Sequence, residues 1–410
     1  MTSMIGNDSA VKLSWNWRAM VASMPALSIV VALGLTFLGF FFLKGKSHNF
    51  ATYLILLLSI IYLPGYFQHL RRDFRNPIIL LSFCLLIYLA CSAFWSPPST
   101  GMDMLKQFER CFLVFSFLIC LKFALIRFPW LARTLFIIVI TMAVVAAIYG
   151  LIMFLQSNHP LPRMVAMGRL QHPILAAAIF GWVMIFSLVG FFRVDQNWLK
   201  YCLLLVSILM SIAVVLSSTR SVMVAIPAAI VALLWLETHW RSQLVLLALT
   251  FILLFTFFSF WLPAEDLEPV LRGTSFRTDI WQASWIRIIE GNWLIGEGIL
   301  TPSEIKAIGS VFSHPHNMYL GTLLYGGIVG LGLLIALLYQ SFRVCIANRQ
   351  HLFSVYVIIS LFFSCVFLIF DTHLIMGKID IIWMLIWVPV AMAAVVYEQS
   401  QVKSMGSEKG

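Results

Sequence analysis

Charged residues are scarce in this sequence. Charged side chains make up only 11% of its 410 residues, whereas hydrophobic ones make up 61%. An ordinary soluble domain carries about 25% charged residues, so this composition excludes a water-soluble globular protein. Apolar runs of about 20 residues, long enough to cross the hydrocarbon core of a bilayer, recur along the chain, and the mean hydropathy is +0.95. The composition therefore predicts an all-α polytopic membrane protein.

Cysteines in positions suited to disulfides, metal binding or catalysis are also lacking. All seven cysteines lie in or beside apolar runs, and none has the spacing of metal ligands. We therefore expect neither disulfides nor cysteine catalysis. We also expect no cleavable signal peptide, because the mostly polar segment Met1–Trp17 precedes an apolar run too long for a signal sequence.

The apolar runs predict twelve transmembrane helices. The run Tyr201–Leu236 is divided in two, because its 36 residues would form a helix of about 54 Å, longer than a bilayer needs. Its polar interruption, Ser217-Ser218-Thr219-Arg220-Ser221, predicts a turn that places Arg220 at a membrane face. The predicted spans are residues 22–43, 51–68, 77–95, 107–126, 131–156, 172–192, 199–217, 221–237, 243–262, 317–341, 352–370 and 379–397.

Twelve spans put both termini on one side of the membrane. If that side is cytoplasmic, the 27 Lys and Arg divide 15 to 12 in its favour, which agrees mildly with the positive-inside rule. The predicted organisation is nine transmembrane helices in 1–262, a large periplasmic loop with short helices in 263–315, helices ten to twelve in 316–397, and a cytoplasmic tail in 398–410.

The longest polar interval, Leu262–Gly327, gathers arginines at one membrane face, among them Arg272. Within it, Thr274–Glu290 is predicted to form an amphipathic helix capped by Thr274 or Ser275. Its apolar face would be made of Phe276, Ile280, Ala283, Ile286 and Ile289. Arg277 falls in the first turn, where the helix dipole disfavours a cation, so it indicates a bound anion. Arg287 falls in the last turn, where a cation is expected, and is predicted to be structural.

The cluster Ser313-His314-Pro315-His316-Asn317 stands directly before the apolar helix Met318–Gln340. A helix N-terminus favours anions, and a neutral imidazole can act as a general base. Two histidines at this spacing could also be zinc ligands, if a carboxylate completed the site, or they could simply be packed. Asp371, which precedes His373 near the same face, could fix the tautomer of His316, pair with an arginine, or cap the last span.

Arg220, in the Ser217–Ser221 turn, has a planar guanidinium group that can donate two parallel hydrogen bonds to a phosphate group. The alternative for Arg220 is a contact with backbone carbonyls or lipid headgroups. Further positive charge on the same side offers weaker candidates for anion binding: Lys106, Arg110, Arg163 and Arg169.

Three features together resemble the O-antigen ligase (WaaL) and Wzy-type polymerase superfamily of bacterial envelope enzymes. His316, ten intervening residues and Gly327 match the family's H-x10-G pattern. Arg220 in Ser-Thr-Arg-Ser resembles the family's arginine at an external hairpin, and Arg277 with the run Asn292–Gly298 resembles the start of its large loop. The resemblance covers roughly Ser217–Asp371 in specific motifs and the remainder in topology.

The resemblance implies a glycosyltransferase of the bacterial inner membrane, with its active site facing the periplasm. The donor would be an undecaprenyl-pyrophosphate-linked glycan and the acceptor a sugar hydroxyl of lipid A–core. His316 would be the base, and Arg220 and Arg277 would stabilise the diphosphate. His314, Asn317, Asp371, Lys106, Arg110, Arg163 and Arg169 would be substrate-binding residues. We expect membrane lipids as further partners, and no cofactor or nucleic acid. We also expect no metal, since the external face has no tight Asp-x-Asp pair of the kind that a metal-dependent glycosyltransferase uses.

Other functions remain open at this point. A polysaccharide polymerase of the same superfamily would use the same donor with a different acceptor. A protein O-oligosaccharyltransferase would be expected to carry extra soluble domains. A transporter of lipid-linked glycans would be expected to show internal repeats and helices broken at mid-membrane.

Overall fold

The computed structural model describes residues 17–43, 50, 52–60, 73–97, 100–157, 163–236, 276–377 and 380–407. Residues 52–60 are helical. The other elements up to the polar interval are α1 (Trp17–Phe42), α2 (Pro77–Cys91), α3 (Gly101–Arg127), α4 (Pro129–Leu155), α5 (Pro173–Arg193), α6 (Asn197–Leu216) and α7 (Arg220–Leu236). Then come α8 (Arg277–Glu290), β1 (Ile305–Ala307), β2 (Ser310–Phe312), α9 (Met318–Ala347), α10 (Leu352–Phe367), a π-helical turn (Trp383–Trp387) and α11 (Val388–Ser407).

The helices start where the sequence provides start signals. Pro77, Pro129 and Pro173 each occupy the first turn of a helix, where the missing N–H has no partner to lose. Asn76 caps α2 by accepting a hydrogen bond from the Ile78 N–H, and Thr100 caps α3 in the same way from Asp103. The three prolines explain why α2, α4 and α5 begin within two residues of the predicted spans.

The all-helical membrane class is confirmed in the part of the chain that the structure describes. Six helical segments there are long and apolar enough to cross a bilayer: Pro77–Phe94, Pro129–Leu155, Pro173–Arg193, Asn197–Leu216, Met318–Ala347 and Trp383–Val402. Shorter apolar helices occupy Leu27–Phe42, Arg220–Leu236 and Leu352–Phe367. The predicted ninth span, 243–262, and the start of the loop lie outside the described residues, so the count of twelve spans and the periplasmic loop stay predictions.

Helix α5 lies at the centre of the bundle. Every residue from Ala176 to Gly190 is buried, so the helix is apolar on all sides because it has neighbours on all sides. It packs against α6, α7 and α10, while α10 in turn packs against α9 and α11. Gly181 allows a close approach of α5 and α7, since a Cβ there would come within 2.8 Å of Val222 on α7.

At one end of the bundle a lysine is fully buried among carboxylates. The ammonium of Lys122 on α3 contacts Asp73, which precedes α2, and lies 2.5 Å from Glu398 Oε2 on α11. Lys122 is one of the 15 cations that the predicted topology places on the cytoplasmic side, but it is enclosed by protein. Helix α11 also extends to Ser407, well beyond the predicted end of the last span at residue 397.

The other end of the bundle collects the ends of four helices. The turn between α6 and α7, the start of α9 and the end of α10 all lie here, and the Met318 N–H donates to the Leu368 carbonyl at 3.0 Å. Helix α8 packs on α9 and on the two-stranded antiparallel hairpin β1–β2, in which Ile305 pairs with Phe312. This end carries the predicted site.

The predicted apolar face of the loop helix is wrong in detail. The helix begins at Arg277 rather than Thr274, and its buried residues are Ile280, Ser284 and Ile288. Ile286 and Ile289, which were predicted to belong to the buried stripe, are exposed. The regular spacing was real, but α8 carries apolar residues on two sides, so periodicity alone could not identify the side that faces α9.

Candidate active site at the ends of four helices

The turn that carries Arg220 is built as the sequence predicts. Helix α6 ends at Leu216 and α7 begins at Arg220, with Ser218 between them in the left-handed region at φ 51°. Arg163 holds this turn: its Nε donates to the Ser217 carbonyl at 2.9 Å and its Nη2 donates to Thr219 Oγ1 at 3.2 Å. The hydrogen bonds of Arg163 thus position the Arg220 hairpin.

Arg277 is the first residue of α8 and stands near both Arg220 and Asp371. Its guanidinium carbon lies 5.9 Å from the centre of the Phe370 ring, next to Asp371 in the chain. Burial and the charge of Arg220 lower the pKa of Arg277, and the charge of Asp371 opposes that shift. Two guanidinium groups within electrostatic range of each other, one of them largely desolvated, are a favourable arrangement for binding an anion.

His316 faces Asp371, the carboxylate that also interacts with Arg277. Its Nδ1 is 3.9 Å from Asp371 Oδ1, which is an ion-pair distance rather than a direct hydrogen bond. About a third of its side chain, 32%, is exposed. Its backbone is left-handed at φ 49°, and its N–H donates to His314 Nδ1 at 3.2 Å.

Asp371 is buried and held by its own turn. Its Oδ1 accepts a hydrogen bond from the Thr372 N–H at 2.7 Å. Burial by itself would raise the pKa of Asp371, but the interactions with His316, the Thr372 amide and Arg277 outweigh burial and lower it. The carboxylate is therefore ionised at neutral pH and faces the Nδ1 side of His316.

His314 and His373 form a stacked pair behind His316. Their ring centres are 4.3 Å apart with an 18° angle between planes, and the His314 ring lies 3.9 Å from that of His316. Burial, with the neighbouring histidines, lowers the pKa of both His314 and His373 to about 4. Both rings are therefore neutral at pH 7, and a neutral His314 can accept the His316 N–H at its Nδ1.

Asn317 serves as the N-cap of α9. Its side-chain oxygen accepts hydrogen bonds from the N–H groups of Tyr319 at 2.9 Å and Leu320 at 3.0 Å, and the residue is buried. The structure gives Asn317 a capping role, and its predicted contact with substrate stays a prediction.

The remaining predicted cations each have a close polar partner. Lys106 forms an ion pair of 2.9 Å with Asp103 on its own helix, and Arg110 donates to Gln107 at 3.2 Å. Arg169 interacts with Asp380, near the start of the last helix. Burial raises the pKa of Asp380 to about 6, against the opposing effects of the Ile382 N–H and Arg169. The predicted contacts of Lys106, Arg110 and Arg169 with substrate stay predictions.

Left-handed backbone marks the four segments that form the cluster. Among the described residues, five that are not glycine have a positive φ, and four of them adjoin or belong to the cluster: Ser218, Phe276, His316 and Thr372. Each such residue costs about 1–3 kcal/mol. A fold that holds four strained residues around one cluster is characteristic of a functional site.

Gly327 explains why the spacing from His316 matters. Helix α9 breaks at Gly327, where φ is 60° and ψ is −164°. The segment Trp293–Gly298 docks into the break: Ile328 N–H donates to the Trp293 carbonyl at 2.9 Å, and Gly298 N–H donates to the Tyr325 carbonyl at 3.0 Å. A Cβ at Gly327 would come within 2.3 Å of the Leu294 carbonyl oxygen. The glycine therefore ties the loop to the helix that presents His316.

Arg287 holds the other side of the same loop. Its Nη2 lies 2.6 Å from Glu297 Oε2 and also donates to the Pro302 carbonyl, and its Nη1 donates to the Glu304 carbonyl. These contacts agree with the predicted structural role.

No group of three His, Cys, Asp or Glu in the described ranges is arranged to hold a metal ion.

Residues 205–335 match the family model described as O-antigen ligase. The matched stretch contains Arg220, Arg277, His316 and Gly327, which the fold brings to one end of the bundle or ties to it. The chain is therefore similar to the O-antigen ligase family over the stretch that carries the cluster.

A curated relative extends the similarity over most of the chain. The protein is 26% identical over 368 residues to an O-antigen ligase of Pseudomonas aeruginosa, covering 88% of this chain and 89% of the relative. The resemblance to the WaaL-type family seen in the sequence is thereby confirmed.

Proposed function

We propose that this protein is an O-antigen ligase that moves a glycan from undecaprenyl pyrophosphate to a sugar hydroxyl of lipid A–core. The reaction would take place at the periplasmic face of the inner membrane. The observation that carries the proposal is the convergence of Arg220, Arg277, His316 and Asp371 from four separate segments. The similarity to the Pseudomonas aeruginosa ligase supports it.

The two arginines are assigned to the diphosphate of the donor. A diphosphate gains negative charge as its bond to the sugar breaks, so cations placed beforehand stabilise the transition state more than the ground state. Arg220 and Arg277 each stand at the start of a helix. The exposed N–H groups of those helix ends add to the positive potential at the same place.

His316 is assigned the role of general base. The neutral ring would take the proton of the acceptor hydroxyl at Nε2, while its Nδ1–H faces Asp371. The separation of 3.9 Å exceeds a hydrogen bond by about 1 Å, and such contacts commonly tighten when substrate binds. Asp371 would then fix the tautomer and stabilise the imidazolium.

The step balances as one displacement with inversion at the anomeric carbon. The acceptor oxygen bonds to this carbon as its proton passes to His316. The bond from the same carbon to the phosphate oxygen breaks, and its electron pair leaves with undecaprenyl pyrophosphate. The charges are carried by the two arginines and the His316–Asp371 pair, so the mechanism requires no metal ion.

The other predicted residues take secondary roles in this proposal. Arg163 would act as a positioning residue for Arg220, and His314 for His316, through the hydrogen bonds they make. Lys106, Arg110 and Arg169 remain predicted contacts for more distant parts of the substrates.

The decisive experiment is an assay with purified protein, lipid-linked glycan and lipid A–core. His316→Ala should lower the rate about 10²- to 10⁴-fold, as expected for loss of a general base, with donor binding retained. His314→Ala is the matched control and should cost much less. A His316→Ala rate close to wild type would refute the assignment.

The acceptor is identified by a deletion strain. Loss of a ligase leaves polymer on the lipid carrier, whereas loss of a polymerase leaves single repeat units on the core. Accumulated polymer is the outcome that the proposal requires.

A further inference from the structure

Helix α8 is apolar on two sides, and only one side is covered by described residues. The inner side buries Ile280 and Ile288 against α9 and β1. On the outer side Trp285, Ile286 and Ile289 are 51%, 46% and 56% exposed. An ordinary amphipathic helix presents polar residues on its outer side. The apolar residues on the outer side of α8 are therefore expected to contact a second apolar environment.

The exposed apolar surface continues past the end of the helix onto α9. Trp293 and Leu294 are 54% and 50% exposed. Their carbonyls accept hydrogen bonds from the N–H groups of Ile328 and Val329 at 2.9 and 3.4 Å. Ile328 and Val329 are themselves exposed, and they belong to the apolar segment Met318–Ala347, which is long enough to cross a bilayer. The loop surface therefore adjoins a surface that faces lipid.

We propose that the outer face of α8, formed by Trp285, Ile286 and Ile289, inserts among the phospholipid acyl chains of the leaflet on the side of the site, together with Trp293 and Leu294, which follow the helix. Tryptophan favours the boundary between headgroups and acyl chains, and a helix with one buried face and one apolar outer face can lie in that boundary. The occupant is therefore the bilayer itself.

The charged residues of α8 are compatible with insertion of its outer face. Arg277 is directed to the cluster with Asp371, and Arg287 is paired with Glu297 on the loop side. Thr278 and Gln282 are exposed and polar and come before Trp285 on the helix, so the apolar part of the outer face begins at Trp285, and Glu290 is exposed at the C-terminal end. These three residues mark the polar edges of the inserted patch.

Insertion would set the depth of the site. Arg277 begins the helix whose outer face rests in the leaflet, so its guanidinium would lie at headgroup level. A diphosphate attached to a membrane lipid lies at that same level. The inference needs only the membrane class and not the glycan transfer proposed above.

Electron paramagnetic resonance can test this with full-length protein in phospholipid vesicles. A nitroxide is placed at Ile289→Cys in a Cys202→Ser background, because Cys202 is the exposed cysteine among the described residues. Ile328→Cys on α9 serves as the lipid-facing reference, and Lys306→Cys on β1, exposed and charged, as the aqueous reference. Residual labelling of the parent protein is subtracted.

The expected result is that the label at 289 behaves like the label at 328. Oxygen, which concentrates in the bilayer, should reach it more readily than the water-soluble nickel complex of ethylenediamine diacetate, and the label at 306 should show the reverse. A 289 label that follows the 306 label would overturn the proposal.

Exclusion of both reagents from the 289 label would also overturn it, because protein would then cover the face. If dilution with lipid restored access, the cover would be a second copy. Otherwise it would be a segment of this chain, such as 237–275. None of these outcomes bears on the transfer assay, so the two proposals fail separately.

Discussion

Replacing Gly327 with alanine should separate the loop from the helix that presents His316. The native backbone at φ 60° and ψ −164° belongs to a region that is almost closed to other residues. An added Cβ would also meet the Leu294 carbonyl oxygen at 2.3 Å and the Gly296 nitrogen at 2.5 Å. Both are backbone atoms, so neither can move aside as a flexible side chain could.

The two effects set the size of the expected loss. Strained backbone costs about 1–3 kcal/mol, and forcing an extra methyl group into a packed site costs about 1–3 kcal/mol. We expect Gly327→Ala to lose about 2–6 kcal/mol of local stability, together with the hydrogen bonds that dock Trp293–Gly298. Transfer should fall because α8 and Arg277 are held through this loop.

Gly332 provides the matched control on the same helix. A Cβ at Gly332 meets no atom within 4 Å, and its backbone is ordinary helix. Gly332→Ala should keep wild-type stability and activity. The assay is thermal unfolding of both variants in detergent, followed by the transfer rate. Equal melting temperatures and equal rates for the two variants would refute the reasoning.

Three further predictions follow from the cluster. Arg220→Ala and Arg277→Ala should each abolish transfer without unfolding the protein, and lysine should rescue poorly because a point charge cannot replace a planar fork; near-normal transfer by either alanine variant would contradict this. Transfer should persist in EDTA, and a loss that Mg²⁺, Mn²⁺ or Zn²⁺ restores would show that a metal takes part. Burial lowers the pKa of His314 and His373 from 6.5 to about 4. As the pH falls below 6.5, these histidines are protonated in the unfolded chain before they are protonated in the folded protein. Thermal stability should therefore fall as the pH drops from 6.5 toward 4. His373→Phe should weaken that dependence, and an unchanged pH profile would count against it.

Local patterns predicted the helix boundaries and several site segments. The Ser217–Ser221 interruption is a turn in the structure, and Arg277 falls in the first turn of the loop helix as expected. The family motif singled out Gly327, but its spacing from His316 gave no physical reason. That reason is the docking of residues 293–298, which depends on backbone contacts between distant segments.

Contacts between residues that are distant in the chain could not be predicted from the sequence. His373 stacks on His314, which lies far from it in the chain, and Arg163 holds a turn more than fifty residues away. Neither contact leaves a periodic signal. The apolar residues on both sides of α8 gave a helical period without indicating which side faces α9, so Ile286 and Ile289 were placed on the wrong side.

The buried ion pair of Lys122 has a practical consequence for protein production. Residues from 398 onward could be taken for a dispensable tail, yet Glu398 contacts Lys122 and joins α11 to α3. A chain shortened at Tyr397 would leave the enclosed ammonium with Asp73 alone, and such a truncation should express poorly for reasons unrelated to catalysis. Affinity tags belong after Ser407, where the described helix ends.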